Sequence, residues 1–317
     1  MSYVTLNGTY LEGGSVTLDK CIDFEFSKDR YSATQEFSGK FISSGILTGP
    51  LRAVVIEINS HTVLTGYVEK QESKREASGY TISIKAKSYS SMLEYNHVQP
   101  GLYPSLTFAS AFTQFAGDLH GITCGGGNQF VNYINCPDWT TIFDVLAHTS
   151  VRAYDTYPYV TMDNCIRSTL PGTIPNYNLT WSQILNRDEK YDTSSLISTI
   201  NMKDINDNVA AYSRSCAYTQ SLGIVRVKYI SLMYDWLYDP EGGLDFKLNM
   251  ARRRSHTRSL TYLGYNGEDV YSQVTFPQGI FGNVTNFFIH AIKISGNDKK
   301  IETTLTYFDD YYSNMTR

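Results

Sequence analysis

The sequence predicts a mainly β chain of the α+β kind: two antiparallel β-barrel-like units with a small helix-containing α+β unit between them. Three observations carry that expectation. Most of the chain alternates apolar and polar residues in short runs, the period-two signature of strands with one buried face. Helical spacing of apolar residues is concentrated in the middle. The composition holds 25 tyrosines beside 15 phenylalanines, side chains that favour strands, half-buried sheet faces and protein contacts.

Residues 1–97 are the first expected β-barrel domain. Val54, Ile56 and Ile58, then Tyr80, Ile82 and Ile84, are its clearest alternating runs. Asn59 to His61 makes a tight connection between two strands, and Glu72 to Ser78 makes a polar hairpin tip. At Gln99 to Pro104 the alternation stops among prolines and a glycine, which opens the inserted α+β domain, residues 98–175. Phe108, Ala111, Phe112, Phe115 and Ala116 share one helical face, with Ser105 or Thr107 as the cap. Ile142, Phe143, Val145, Leu146 and Ala147 repeat the spacing, entered through Asp138. Gly121 to Gln129 reads as a flexible loop, and Ala153 to Ser168 as a small hairpin. Residues 176–231 and 255–317 form the second expected β-barrel domain, with clear alternation from Ile224 to Tyr229. Between them, 232–254 is an irregular or helical connection that Pro240 to Gly243 interrupts. Thr65 to Leu93 and Thr285 to Tyr311 share a pattern of strand, charged tip and Thr/Ile-rich strand, a weak internal repeat.

At 317 residues, the chain exceeds the usual single-domain size of about 100 to 200. Net charge −4 gives no basic field, which argues against an electrostatically driven nucleic-acid binder. No uncharged apolar run approaches the roughly 18 residues of a membrane span. The start, MSYVTLNGTY, lacks the pattern of a secretory signal. Five scattered cysteines, an odd number, suit reduced, mostly buried thiols and a cytoplasmic folding compartment.

Catalytic motifs are missing. The sequence contains no GxSxG, HExxH, GxxxxGK[ST] or GxGxxG. His120, Cys124, Cys136 and His148 are the nearest thing to a metal set, but without a close ligand pair they read as buried thiols and surface histidines. Gly125 to Gly127 lacks the basic residue of a phosphate-cradling loop. No cofactor is expected. Arg252, Arg253, Arg254 and Arg258 are the single basic cluster, and two readings of it stand: contact with an acidic neighbouring subunit, or solvation of a helix end.

Four stretches carry a resemblance: VTLNGTYLEGGSVTLDKCIDFEFS at the start, AVVIEINSHTVLTGYV from Ala53 to Val68, TTIFDVLAHTSVRAYDTYPYVT from Thr140 to Thr161, and ARRRSHTRSLTYLG followed by Val270 to Asp309. In their order they resemble the central baseplate hub protein of contractile phage tails and related injection particles, the late control protein D type. That resemblance implies a homotrimer whose paired β-barrels form a pseudo-six-fold ring. It also implies three partners, the tail tube protein, the central spike protein and other baseplate proteins, with assembly in the bacterial cytoplasm into a particle baseplate. It implies neither catalysis nor sequence-specific recognition of nucleic acid. The competing classes are a carbohydrate- or receptor-binding β module, whose exposed aromatics would stack on sugars, and a cell-wall hydrolase.

Overall fold

In the computed structural model, residues 4–76 and 79–308 are described. Seven strands come first: β1 (Val4–Tyr10), β2 (Ser15–Leu18), β3 (Cys21–Asp29), β4 (Gln35–Ser43), β5 (Leu51–Ile58), β6 (His61–Glu76) and β7 (Gly79–Ser88). Asn59 and Ser60 make the turn between β5 and β6, both with positive φ. The hairpin tip expected over Glu72 to Ser78 is mostly ladder instead, with Glu76 paired to Gly79. Residues 77 and 78 lie outside the described residues.

The middle of the chain supplies α1 (Met92–Tyr95), β8 (Gly101–Thr107), α2 (Phe108–Ala116), β9 (Thr123–Cys124), β10 (Phe130–Cys136), α3 (Ile142–Tyr154), β11 (Tyr159–Val160) and β12 (Cys165–Arg167). Pro104 sits within β8, on a two-stranded ribbon with β10 whose outer edge needs no donor. Thr107 caps α2 through a reciprocal box with Ser110. For α3 the cap is Thr141, boxed with Asp144, in place of the expected Asp138. A threonine three residues before an acidic side chain satisfies two orphan amides at once. Gly125 to Gly127 is a packed strap and not a flexible loop. A Cβ at Gly126 would overlap the Phe108 ring, and one at Gly127 the Tyr154 hydroxyl.

Next come β13 (Asn176–Asn178), β14 (Ile184–Tyr191), β15 (Thr199–Met202), β16 (Tyr212–Ser215), α4 (Ala217–Ser221), β17 (Val227–Ile230) and α5 (Pro240–Arg252). Pro240 begins α5 where an interruption was expected. It occupies the first turn, where its missing N–H costs nothing, and Asp239 caps the Gly242 amide. The two glycines make room: a Cβ at Gly242 would strike the Asp239 carboxylate, and one at Gly243 would strike Met233 and Trp236. The chain ends in β18 (His256–Leu263), β19 (Gln273–Thr275), β20 (Asn286–Phe288), β21 (Ala291–Asn297) and β22 (Lys300–Phe308). Asp309 to Tyr311, the end of the repeat and of the last expected strand, lies outside the described residues.

One sheet of eleven strands dominates, in the order β14-β18-β22-β21-β3-β4-β7-β6-β5-β1-β2. Both terminal regions contribute, and their inner faces share one core from Val4 and Phe26 to Ile294 and Leu305. The inserted helices have a second core around Phe108, Phe143 and Leu146. Residues 199–230 do not join the large sheet. Strands β15, β16 and β17 make a separate three-stranded sheet packed on α5 through Ile200, Met202, Leu244 and Leu248.

The internal repeat extends well past one hairpin. Strand β4 pairs with β7 with Lys40 opposite Ser83, and β18 pairs with β22 with Thr261 opposite Thr304. Arg75 of β6 faces Tyr80, as Gly296 of β21 faces Ile301. Residues of β4, β6 and β7 thus correspond to residues of β18, β21 and β22 at one constant offset. Strands β3 and β14 match as well, since each is irregular after its first paired residue, at Cys21/Asp23 and at Ile184/Asn186. The block β3-β4-β7-β6 is therefore repeated, register for register, as β14-β18-β22-β21.

Gly66, at the centre of the LTGYV stretch, sits directly against the β7 backbone. A Cβ there would lie 1.9 Å from the Lys87 carbonyl oxygen. Gly66→Ala is expected to lower stability by about 1–3 kcal/mol, the usual cost of overpacking, as a fall in the urea midpoint. His290 gives a second test. Burial, with the Arg30 charge adding to it, holds its imidazole well below the ordinary 6.5. Its Nδ1 accepts the Phe308 amide at 2.9 Å, which requires the neutral ring. The unfolded chain binds a proton at this residue below about pH 6.5 and the folded chain does not. His290 thus favours unfolding as the pH falls below 6.5, and His290→Gln is expected to flatten the decline in urea midpoint between pH 7.5 and 5.5.

Candidate assembly surface

Two surfaces look incomplete in the single chain. The first is the β14 edge of the large sheet. Strand β14 pairs on one side with β18 and on the other with no strand among the described residues. Seven of its eight residues are exposed. An edge of this length is a template for another strand, and charges along it limit indiscriminate pairing. Here the run is Arg187, Asp188, Glu189 and Lys190. Glu189 is held at 2.7 Å from His256 Nε2 and 2.9 Å from Arg258 Nε, and its hydrogen bond to His256 leads the interactions that keep its carboxyl below the usual range. Arg187 donates to the carbonyls of Gly279 and Ile280.

The second surface is the outer face of the small sheet. Cross-strand partners share a face, so Met202, Tyr212 and Ile230 turn together toward α5. Val227 and Tyr229, opposite Thr199 and Asn201, turn away from it. Val225 continues the same alternation. These three side chains are 84%, 47% and 65% exposed at Val225, Val227 and Tyr229. Ile205 and Val209, in the loop between β15 and β16, are exposed as well. Burying an aliphatic or aromatic side chain contributes about 1.5–3 kcal/mol, so an uncovered apolar strand marks a contact site.

The four arginines expected at an interface already have work within the chain. Arg252 lies over the Tyr218 ring at 4.3 Å and Arg253 over Tyr31 at 5.1 Å. Arg254 pairs with Asp29, and Arg258 with Glu189. They stitch α5 and β18 to β3 and β14. The side chain of Arg254 remains 55% exposed, against 20% for Arg258.

The cysteine and histidine set is dispersed. His120 meets Tyr89 edge-on, His148 meets Phe246, and Cys136 is buried in the helical core. Among the described residues no three His, Cys, Asp or Glu side chains gather as metal ligands. No helix is long and apolar enough to cross a membrane. The alternation at 224–229 is legible in the sequence, but which way its apolar side faces is not, and the β14 edge is not legible because pairing partners are not local.

Neither a protein-family model nor a curated protein matches the sequence. Solved structures share its fold along nearly its whole length. A tail protein from Neisseria meningitidis MC58 covers 98% of this chain and 97% of its own, with TM-score 0.74 and 14% identity. The 43 kDa tail protein of prophage MuSo2 from Shewanella oneidensis covers 96% and 97%, with TM-score 0.75 and 13% identity. An Escherichia coli component of the type VI secretion system, described as structurally similar to T4 bacteriophage tail proteins gp27 and gp5, covers 92% and 74%, with TM-score 0.56 and 9% identity. The structural neighbours are phage tail and type VI secretion proteins, and the likeness is one of fold.

The triple variant Val225→Thr, Val227→Thr, Tyr229→Thr removes apolar area that the described residues leave largely exposed. Its unfolding free energy is expected to stay within about 0.5 kcal/mol of the parent, while binding of a hydrophobic dye to the isolated chain falls. A large loss of stability would mean that this face is structural.

Proposed function

We propose that this protein is a structural subunit of a contractile phage tail or tail-like injection particle: the baseplate hub, a homotrimer that joins the tail tube to the central spike. The observation that carries the proposal is the repeated four-strand block. A chain that holds two equivalent blocks presents six similar units when three chains close into a ring, while the ring itself keeps three-fold symmetry. Such a ring meets a six-fold tube on one side and a three-fold spike on the other. The whole-length fold match to two tail proteins supports the same reading.

Ring closure needs a heterologous contact, in which one surface of a chain meets a different surface of the next. The exposed β14 edge belongs to that contact, with Arg254 reaching the neighbouring chain from beside it. The apolar face of β17 takes another baseplate protein. Permanent interfaces of this kind bury about 2,000 Å² or more and are rich in aromatic residues at their centres, which suits a chain with 25 tyrosines. The hub works by shape and symmetry and turns over no substrate; it assembles in the bacterial cytoplasm and remains in the particle baseplate.

Light scattering after size exclusion, over a range of concentrations, tests the proposal. One chain weighs 35.8 kDa and three weigh about 107 kDa. A mass of three chains is the expected result, alone or on addition of the spike or tube protein. A stable dimer or tetramer would overturn the trimeric hub.

A further inference from the structure

Within one chain, the two repeated blocks are joined by β21 and β3, which run antiparallel with Ala291 opposite Asp29 and Gly296 opposite Phe24. The repeat relates β21 to β6 and β3 to β14. The counterparts of this junction, β6 and β14, lie far apart in the sheet order and do not meet in the single chain. Each is nevertheless free where the junction requires it. Strand β5 pairs with β6 only from His61 to Gly66. Beyond that, among the described residues, the second half of β6 is paired on one side alone, with β7, and its residues from Glu72 to Arg75 are exposed. The Gln71 side chain ends the β5 side, bonding the Leu51 amide and the Gly49 carbonyl at 3.0 Å each.

We infer that, in the ring proposed above, the free half of β6 in one copy pairs antiparallel with β14 of the next copy, in the register that β21 and β3 use within the chain. Transferring that register residue by residue sets Lys70 opposite Asp192, Glu72 opposite Lys190 and Lys74 opposite Asp188 of the next copy. All three pairs fall on one face of the joined sheet, where plus, minus, plus on β6 meets minus, plus, minus on β14. Strand pairing alone sets this register, and the charges agree with it. Their complementarity is the independent observation that favours a second copy of this chain as the occupant. In the lone chain the same groups pair weakly along their own strands, Lys74 with Glu72 at 3.3 Å and Lys190 with Asp192 at 3.5 Å, all well exposed. Directly opposed charges across an antiparallel pair stabilise it, and like charges there oppose it. A one-residue slip would carry each side chain to the other face and lose the match. The charged edge thus excludes stray strands and selects its own copy.

This inference rests on the ring reading, and the test separates the two. Full-length chain carrying Glu72→Cys and Lys190→Cys, which stand opposite in the inferred register, is mildly oxidised and run on a non-reducing gel. A control carries Ser73→Cys and Lys190→Cys, which point to opposite faces. Covalent multiples of the first variant, absent from the control, are expected. Equal linking in both would overturn the register. If light scattering finds the unoxidised first variant assembled but its gel shows no linkage, this pairing is wrong and the ring survives. A chain that stays monomeric and does not link, even with the spike or tube protein added, would overturn both. Lys74→Glu is further expected to weaken assembly about tenfold, and adding Asp188→Lys to restore it. Unchanged assembly in Lys74→Glu would count against the pairing.

Discussion

The antiparallel ladder between β21 and β3 is the contact on which the rest of the molecule depends. It joins strands from opposite ends of the chain and places Ile294 opposite Phe26, both fully buried. Two half-sheets become one sheet with one core. The Asp298 carboxylate takes the Cys21 amide at 2.8 Å beyond one end of the ladder, and the His290 carbonyl takes the Arg30 amide at 2.8 Å beyond the other, so both ends of the joint are tied. The edges left free, β14 and β2, follow from where this junction forms. Contacts so distant in sequence carry a large loop-closure cost, which the shared apolar core must offset.

The inserted unit is locked to that sheet by polar clamps. Asp269 accepts from Lys28 at 2.5 Å and from the Met162 amide at 2.8 Å, linking β3, the insertion and the late loop. Glu94 takes the Ala33 amide at 2.8 Å together with the hydroxyls of Ser32 and Thr34. Asn164 donates to Thr65 and accepts from the Ser90 amide. Buried polar groups of this kind fix orientation more than they add net stability, because removing one partner leaves the other unsatisfied. The β14 edge and the β17 face keep a set relation only if the units between them do not turn.

Much of the fold was legible in local pattern. The alternation at 54–58 and 80–84 became β5 and β7, and the helical spacing at 108–116 and 142–147 became α2 and α3. The similarity of 65–93 to 285–311 marked a true repeat of strand register over its described part. Pro240 and the glycines after it looked like a break, yet Asp239 caps the helix that Pro240 begins, and the glycines leave room for the Asp239 carboxylate and for Met233 and Trp236. Gly125 to Gly127 looked flexible because the rings that press on it come from distant helices. For the arginine cluster the sequence left two readings, a neighbouring subunit or a helix end, and the partners of two of its members within the chain, Asp29 and Glu189, are remote in sequence. At the candidate surface, the Val225 to Tyr229 alternation was visible, but only the structure revealed that its apolar side faces outward.

The sequence by itself determined which residues form strands and helices, which face of each is apolar, and that no familiar catalytic motif is present. Those properties depend on side-chain period, caps and turn residues, all within a few positions of one another. The tertiary structure decided which strand lies beside which, and hence which edges and faces remain uncovered. Strand order brings together groups more than two hundred residues apart, such as Asp29 and Ala291, and the period of a strand carries no record of its neighbour. The charges on β6 and β14 were plain in the sequence, but their correspondence emerged only when the repeated register supplied the alignment.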